Sequence, residues 1–228
     1  MILAIDTSSK SASCALLDSD DVIAESFCNA GVTHSATLMP MVEGLFTATG
    51  RKTDEIDMFA ATSGPGSFTG VRIGASILLG LAFGKGLPCV GVSALEVTAL
   101  PFESFRDVII CPVMDARRGQ FYNALFRNGE RLTDDRAISG EDLYAGLSAG
   151  NSPVLLCGDG HALAAPFMKD LVLVDAPRDL IYPRASNVGR LARRIREASP
   201  SGTFTDLEFK PVYLRPSQAE RVMSEKKQ

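Results

Sequence analysis

The residues best placed to do chemistry lie in Ser63-Gly64-Pro65-Gly66-Ser67-Phe68-Thr69-Gly70-Val71-Arg72-Ile73-Gly74, which feeds into the apolar run Ala75–Phe83. The short apolar stretch Met58–Thr62 before it reads as a buried strand. Strand, tight glycine turn and helix start together aim backbone N–H groups and a positive helix end at an anion. The turn fits neither the dinucleotide fingerprint nor the P-loop, which would need G-K-[ST] at its end. Close packing of a helix on a sheet explains the same glycines without any ligand. His34-Ser35 is the other chemical pair, inviting a nucleophile reading. Neighbours at a helix start diverge, however, and there is no G-x-S-x-G elbow or third member. We therefore expect helix-entry roles for Thr33 and His34. His34 and His161 are the two histidines, with no metal-ligand spacing between them.

The elements that must position these residues follow from hydrophobic spacing. Ile2–Ile5, Ala12–Leu17 and Val22–Phe27 read as three strands separated by the polar turns Asp6-Thr7-Ser8-Ser9 and Asp18-Ser19-Asp20-Asp21. From Ser35 the pattern turns helical, with Leu38, Met41, Val42, Leu45 and Phe46 on one face, Thr33 placed to cap the start and Gly50 to stop it. The glycine turn and its helix come next, then a strand at Cys89–Val92 and a short helix capped by Ser93. Strands separated by helices imply parallel pairing in a covered sheet.

The second half repeats the first. Ile5–Leu17 aligns without gaps on Met114–Phe126, each copy running from an apolar strand through an aspartate and a polar turn into a second strand. Asn128-Gly129 marks a hairpin, Ser139 caps a helix from Glu141, and Val154–Cys157 is a strand closing on Gly158-Asp159-Gly160. Leu171–Val174 and a helix over Asn187–Ala198 complete the copy. The expected fold is α/β with two duplicated lobes, each a mixed sheet with helices, covering residues 1–103 and 104–228, with the final tail folding back on the first lobe. This order resembles the actin/Hsp70/sugar-kinase superfamily, in which two acidic turns face each other across a nucleotide cleft. The resemblance implies that Asp6, Thr7, Ser8, Gly64, Gly66 and Asp115 line such a cleft. Both acidic turns depart from the kinase pattern: the first is Asp6-Thr7-Ser8-Ser9, and the second carries Arg117 and Arg118 before its glycine.

A narrower set of motifs occurs in order. It comprises Ile5-Asp6-Thr7-Ser8, His34-Ser35…Leu38…Pro40, Gly64–Gly74, Val92-Ser93-Ala94-Leu95-Glu96, Tyr182-Pro183-Arg184 and Pro211-Val212-Tyr213-Leu214-Arg215. The set is similar to the TsaB (YeaZ) family of bacterial tRNA threonylcarbamoyladenosine biosynthesis proteins, over nearly the whole chain. The resemblance implies a cytoplasmic, non-catalytic subunit that pairs with the paralogous transferase TsaD, with the ATPase TsaE as third member. It implies a homodimer when the chain is alone, tRNA contact only through the complex, no required cofactor, and ATP or ADP at most within the assembly. TsaD-like proteins carry G-V-N-H-x-E-G-H after the corresponding helix, and its two histidines bind metal. Here those positions fall on Ala94 and Thr98, neither of which replaces imidazole. No metal site and no catalytic residue is therefore expected.

The helices beside the glycine turn are apolar nearly all round, so part of their surface should meet another chain. The expected interface is Leu38, Met41, Val42, Leu45, Phe46, Arg72, Ile73, Ile77 and Leu81, with Gly70/Gly74 and Gly80/Gly84 permitting close approach. A small-molecule ATP-dependent kinase of the same fold and a glycoprotease-like peptidase are the alternatives.

Composition sets the outer bounds. The 228 residues are 46% hydrophobic with net charge −4, which suits a well-cored protein and disfavours unaided nucleic-acid binding. Arg190, Arg193, Arg194 and Arg196 form one basic helix face, a solvated surface or a tRNA contact within a complex. Five widely spaced cysteines with no C-x-x-C pair read as reduced thiols of the cytoplasm. The start Met1–Asp6 has no signal-peptide pattern, and the Gly70–Gly84 helix is too short to span a membrane. Ser217–Gln228 reads as a polar frayed helix or tail.

Overall fold

The computed structural model describes residues 1–200, 202 and 204–215; the expected tail Ser217–Gln228 lies outside them. The first lobe runs β1 (Ile2–Asp6), β2 (Ala12–Asp18), β3 (Asp21–Cys28), α1 (His34–Thr49), β4 (Met58–Gly64), α2 (Phe68–Ala82), β5 (Cys89–Ser93) and α3 (Ala94–Ala99). The second runs β6 (Ile109–Asp115), β7 (Gln120–Asn123), β8 (Phe126–Arg127), β9 (Glu130–Arg131), β10 (Arg136–Ser139), α4 (Gly140–Ser148), β11 (Val154–Cys157), α5 (His161–Ala164), β12 (Leu173–Val174) and α6 (Ala185–Ala198). The strand orders are β3-β2-β1-β4-β5 and β10-β7-β6-β11-β12, the same path traced twice. In each lobe the first strand pairs antiparallel with the second and parallel with the fourth element's strand, β4 or β11. This is the duplicated actin/Hsp70/sugar-kinase arrangement.

Period-two alternation explains why both faces of the first sheet are apolar. Leu3 and Ile5 point to the face covered by α1 and α2, packing with Leu38, Val42, Leu45, Ala75 and Leu78. Ile2 and Ala4 point to the opposite face, where Ala185, Val188, Leu191 and Ala192 of α6 cover them. α6 belongs in sequence to the second half, so the third helices are exchanged: α3 packs on the second sheet, beside Ile110, Met114 and Leu155. A cut between residues 103 and 104 leaves β1–β5 on one side and β6–β12 on the other, and it strips the first sheet of one covering helix. Gly189 in α6 lies against the Leu17 side chain, where any Cβ would intrude. α4 and α5 cover the second sheet's outer face through Leu143, Leu147 and Ala164.

Local capping follows the sequence at two of three starts. Ser93 accepts from Glu96 N–H at 3.3 Å and Ser139 from Asp142 N–H at 3.1 Å. Thr33 occupies the N-cap of α1 without a side-chain bond; its carbonyl instead accepts from Ala36 N–H and the Thr37 hydroxyl.

Candidate functional site: acidic turn, glycine loop and the outward face of two helices

The end of β1 and the glycine turn after β4 meet, because parallel pairing brings the C-terminal ends of adjacent strands together. Asp6, Thr7, Ser8, Gly64 and Gly66 are thus one cluster, but their polar groups face one another. Asp6 Oδ1 accepts from the Ser8 hydroxyl at 2.6 Å, the Thr62 hydroxyl at 2.7 Å and Ser8 N–H at 3.3 Å. Thr7 donates to the Gly70 carbonyl at 2.7 Å, and Ser67 N–H donates to the Ser8 carbonyl at 2.7 Å. A Cβ at Gly66 or Gly70 would strike the carbonyl oxygen of Ser8 or Thr7, and one at Gly74 the Thr7 hydroxyl. The glycines therefore serve close approach between turn and helix within this chain, which corrects the expectation that Gly70/Gly74 open a path for a partner helix. Gly80 and Gly84 have open space where a Cβ would stand.

Asp115 lies across on the second lobe, with its carboxylate also engaged. Its Oδ1 accepts from Arg117 N–H at 2.7 Å, the counterpart of Ser8 N–H on Asp6, so the 109-residue repeat extends to a hydrogen bond. Asp159 accepts from the Asp115 N–H at 3.4 Å, and burial raises its carboxyl, partly offset by that bond and by Lys10 of the first lobe. Arg117 and Arg118 both hold left-handed backbone, at φ of 66° and 56°, which glycine would supply at lower steric cost.

Burial away from water pushes the Asp6 carboxyl up from 3.8 to about 6, partly offset by the bonds from Ser8 and Thr62. Its Oδ2 and the nearby Ser13 Oγ are buried without a protein partner among the described residues. A folded-state value above the unfolded one means the native chain holds this proton more tightly. The carboxyl's contribution is therefore fully present below pH 3.8 and lost as pH rises through about 6. Asp6→Asn should remove that slope. The variant's stability relative to wild type should rise by up to about 3 kcal/mol between pH 4 and 7, read from denaturant midpoints. A constant gap across that range would refute the burial account.

The remaining sequence candidates fall into place. His34 Nε2 contacts the Ser9 carbonyl at 3.0 Å, and Asp6 takes the Ser8 hydroxyl directly, so no Ser-His-Asp relay forms. Ala94 and Thr98 are buried, and the Thr98 hydroxyl donates to the Ala94 carbonyl. Among the described residues no three His, Cys, Asp or Glu side chains converge as metal ligands. The basic face of α6 borders a cleft of about 590 Å³, but its arginines are paired internally. Arg194 forks onto Glu103 at 2.7 and 2.9 Å, and Arg193 meets Asp20 and Glu197. Four of the cysteines are buried thiols, and burial raises Cys14 and Cys111 to about 12. Among the described residues no helix is long and apolar enough to cross a membrane.

The apolar helices divide into two faces. Leu38, Val42 and Leu45 are 0%, 2% and 4% exposed and fill the core against β1, β2 and α2, so they are unavailable to a partner, contrary to expectation. The sheet demands this, since α1 must cover Leu3, Ile5 and Leu16. Met41, Phe46, Ile73, Ile77 and Leu81 are half-buried, and Arg72 and Phe83 are exposed. α2 thus keeps a second apolar ridge, Ile73–Ile77–Leu81, beside the open glycine Gly80, while Gly44 leaves the same freedom on α1.

One element escaped the sequence reading. Residues 204–215 run along the first lobe as a strap: Cys89 N–H donates to the Phe204 carbonyl, Phe209 is buried beside Gly91, and Val212 N–H donates to the Ser63 carbonyl at 2.7 Å. A Cβ at Gly64 would strike the Val212 carbonyl oxygen. Arg215 then crosses to the second lobe, donating to the Ala116 carbonyl at 2.7 Å. The signal was the motif Pro211–Arg215 itself, which is isolated from any periodic element.

Comparison with known proteins adds to this geometry. The family model described as "TsaD: tRNA N6-adenosine threonylcarbamoyltransferase" matches residues 29–149. The chain is 33% identical to the tRNA threonylcarbamoyladenosine biosynthesis protein TsaB of Bacillus subtilis, over 96% of each chain. It is 27% identical to the solved structure of YeaZ from Pseudomonas aeruginosa, with a TM-score of 0.77 over 93% of this chain and 99% of that one. Component A of Acidaminococcus fermentans (R)-2-hydroxyglutaryl-CoA dehydratase shares the fold alone, at 12% identity and a TM-score of 0.51, covering 86% of this chain and 98% of that one.

Proposed function

Since the chain belongs to the TsaB family of tRNA threonylcarbamoyladenosine biosynthesis proteins, we propose that it is a non-catalytic subunit of the complex that threonylcarbamoylates tRNA. Its task is to hold a TsaD-type transferase on the outward face of α1 and α2, with a TsaE-type ATPase as third subunit. In the partner's absence the same face joins two copies of the chain. The observation that carries this reading is the half-buried apolar rim of α1 and α2, where Met41, Phe46, Ile77 and Leu81 pack on the edge of the core and, with Ile73, keep apolar surface that the sheet leaves uncovered. The cleft residues support the absence of chemistry, because Asp6 is sequestered and the glycine turn is filled by Thr7, Ser8 and Val212. The same geometry weighs against a small-molecule kinase, and the position of His34 against a peptidase.

Reconstitution tests this. tRNA modification with TsaD- and TsaE-type partners should fall to background when this chain is omitted, measured by nucleoside mass spectrometry. The chain alone should hydrolyse neither ATP nor a peptide library. Full modification without the chain, or ATP turnover by it in isolation, would overturn the proposal.

A further inference from the structure

We propose that the C-terminal strap is part of the docking surface, with Tyr213 holding Arg72 in position to receive a carboxylate of the TsaD-type partner. This rests on the docking reading above and extends it to the chemistry of one contact. The strap's course near α2 is fixed before Tyr213 by Phe209 in the core and Val212 paired to Ser63, and after it by Arg215 bonded to the Ala116 carbonyl. Tyr213 consequently stacks on Phe68 with ring centroids 4.8 Å apart. The Arg72 guanidinium lies 3.9 Å above the Phe68 ring centroid and 5.5 Å from that of Tyr213, and its Nε donates to the Tyr213 hydroxyl at 2.9 Å.

The arrangement immobilises one arginine at the end of the ridge formed by Ile73 and Ile77. Ordering a long side chain costs conformational entropy, and stacking on two rings meets that cost before any partner arrives. No carboxylate among the described residues pairs with Arg72, although the acidic chain provides ion pairs for Arg51, Arg127, Arg131, Arg193 and Arg194. A pinned, exposed guanidinium beside an apolar ridge has the composition of an interface hot spot, and its planar fork suits a carboxylate. The charge disfavours an apolar or basic group opposite it, and the strongest complement a protein partner can offer the planar fork is an aspartate or glutamate.

The test uses the full chain and its TsaD-type partner, with affinity read by surface plasmon resonance at low and high salt and melting temperatures as a folding control. Arg72→Ala should weaken binding about tenfold and flatten its salt dependence, and Arg72→Lys should not restore it, lacking the fork. Tyr213→Ala should cost nearly as much alone and add nothing in the Arg72→Ala background, because it acts through Arg72. Tyr213→Phe, which keeps the stack and loses the hydroxyl, provides the milder variant should Tyr213→Ala loosen the fold, and it should weaken binding by a smaller factor. Ile77→Asp separates the two readings. If it abolishes binding while Arg72→Ala stays within about twofold of wild type, the arginine proposal fails and the docking face stands. If Ile77→Asp binds normally, the docking face itself is wrong. Unchanged salt dependence in Arg72→Ala would overturn the carboxylate, and full additivity of the two substitutions would overturn the positioning role of Tyr213.

Discussion

Ile77→Asp is expected to weaken capture of the TsaD-type partner by at least about a hundredfold while leaving a folded, monodisperse chain. Ile77 is half-buried at the edge of the core, so in the free protein the carboxylate can turn to water and the fold loses only part of one apolar contact. In the complex it would be buried among apolar side chains without a cation, which is among the most unfavourable changes an interface can suffer. The informative control is Leu45→Asp. Leu45 is 4% exposed and packs with Leu38, Val42 and Leu78, so its replacement should unfold the lobe, and partner loss would then report only the lost fold. Circular dichroism melts beside the binding measurement distinguish the two. Binding by Ile77→Asp within threefold of wild type would remove the ridge from the interface.

Gly70→Ala should destabilise the isolated chain by roughly 3 kcal/mol, at a helical position where alanine ordinarily stabilises by about 1 kcal/mol. The sign reverses because the new Cβ would meet the Thr7 backbone oxygen, in a turn already fixed by bonds to Ser8, Thr62 and Gly70. Neither side yields cheaply, since the obstruction is backbone and not the end of a flexible side chain. Gly80→Ala is the counterpart in the same helix. No atom of the described residues stands within 4 Å of its Cβ position, so it should stabilise the free chain by about 0.5–1 kcal/mol. On the docking face that methyl group would occupy space left for the partner, so the same variant should bind more weakly. Urea unfolding of both variants checks the pair, and equal effects at Gly70 and Gly80 would contradict the packing described for α2.

Much of this protein is determined by local chemistry and so is legible in one sequence. The period-two alternation of Ile2–Ile5, the three-and-four spacing of Leu38–Phe46 and the capping serines Ser93 and Ser139 each act over a few residues. The repeat of strand, aspartate and turn at Asp6 and Asp115 announced the duplicated lobes, and it persists to matching backbone bonds at Ser8 and Arg117. That Ala94 and Thr98 carry no imidazole needs no coordinates at all.

The direction in which an apolar residue points is another matter. Leu45 and Ile77 are alike in the sequence, both apolar and both on helices beside the glycine turn. One fills the core and the other stays half-exposed at its edge because the sheet lies on a single side of each helix. Likewise the glycines at 70 and 80 differ only in what approaches them from distant parts of the chain, Thr7 at one and open space at the other. The exchange of α3 and α6 between lobes, and the strap that carries Tyr213 to Arg72 across a sequence gap of 141 residues, are non-local packing. Sequence patterns record which residues must be buried or must turn. Tertiary structure alone decides against what, because burial free energy depends on area removed from water and not on which neighbour removes it.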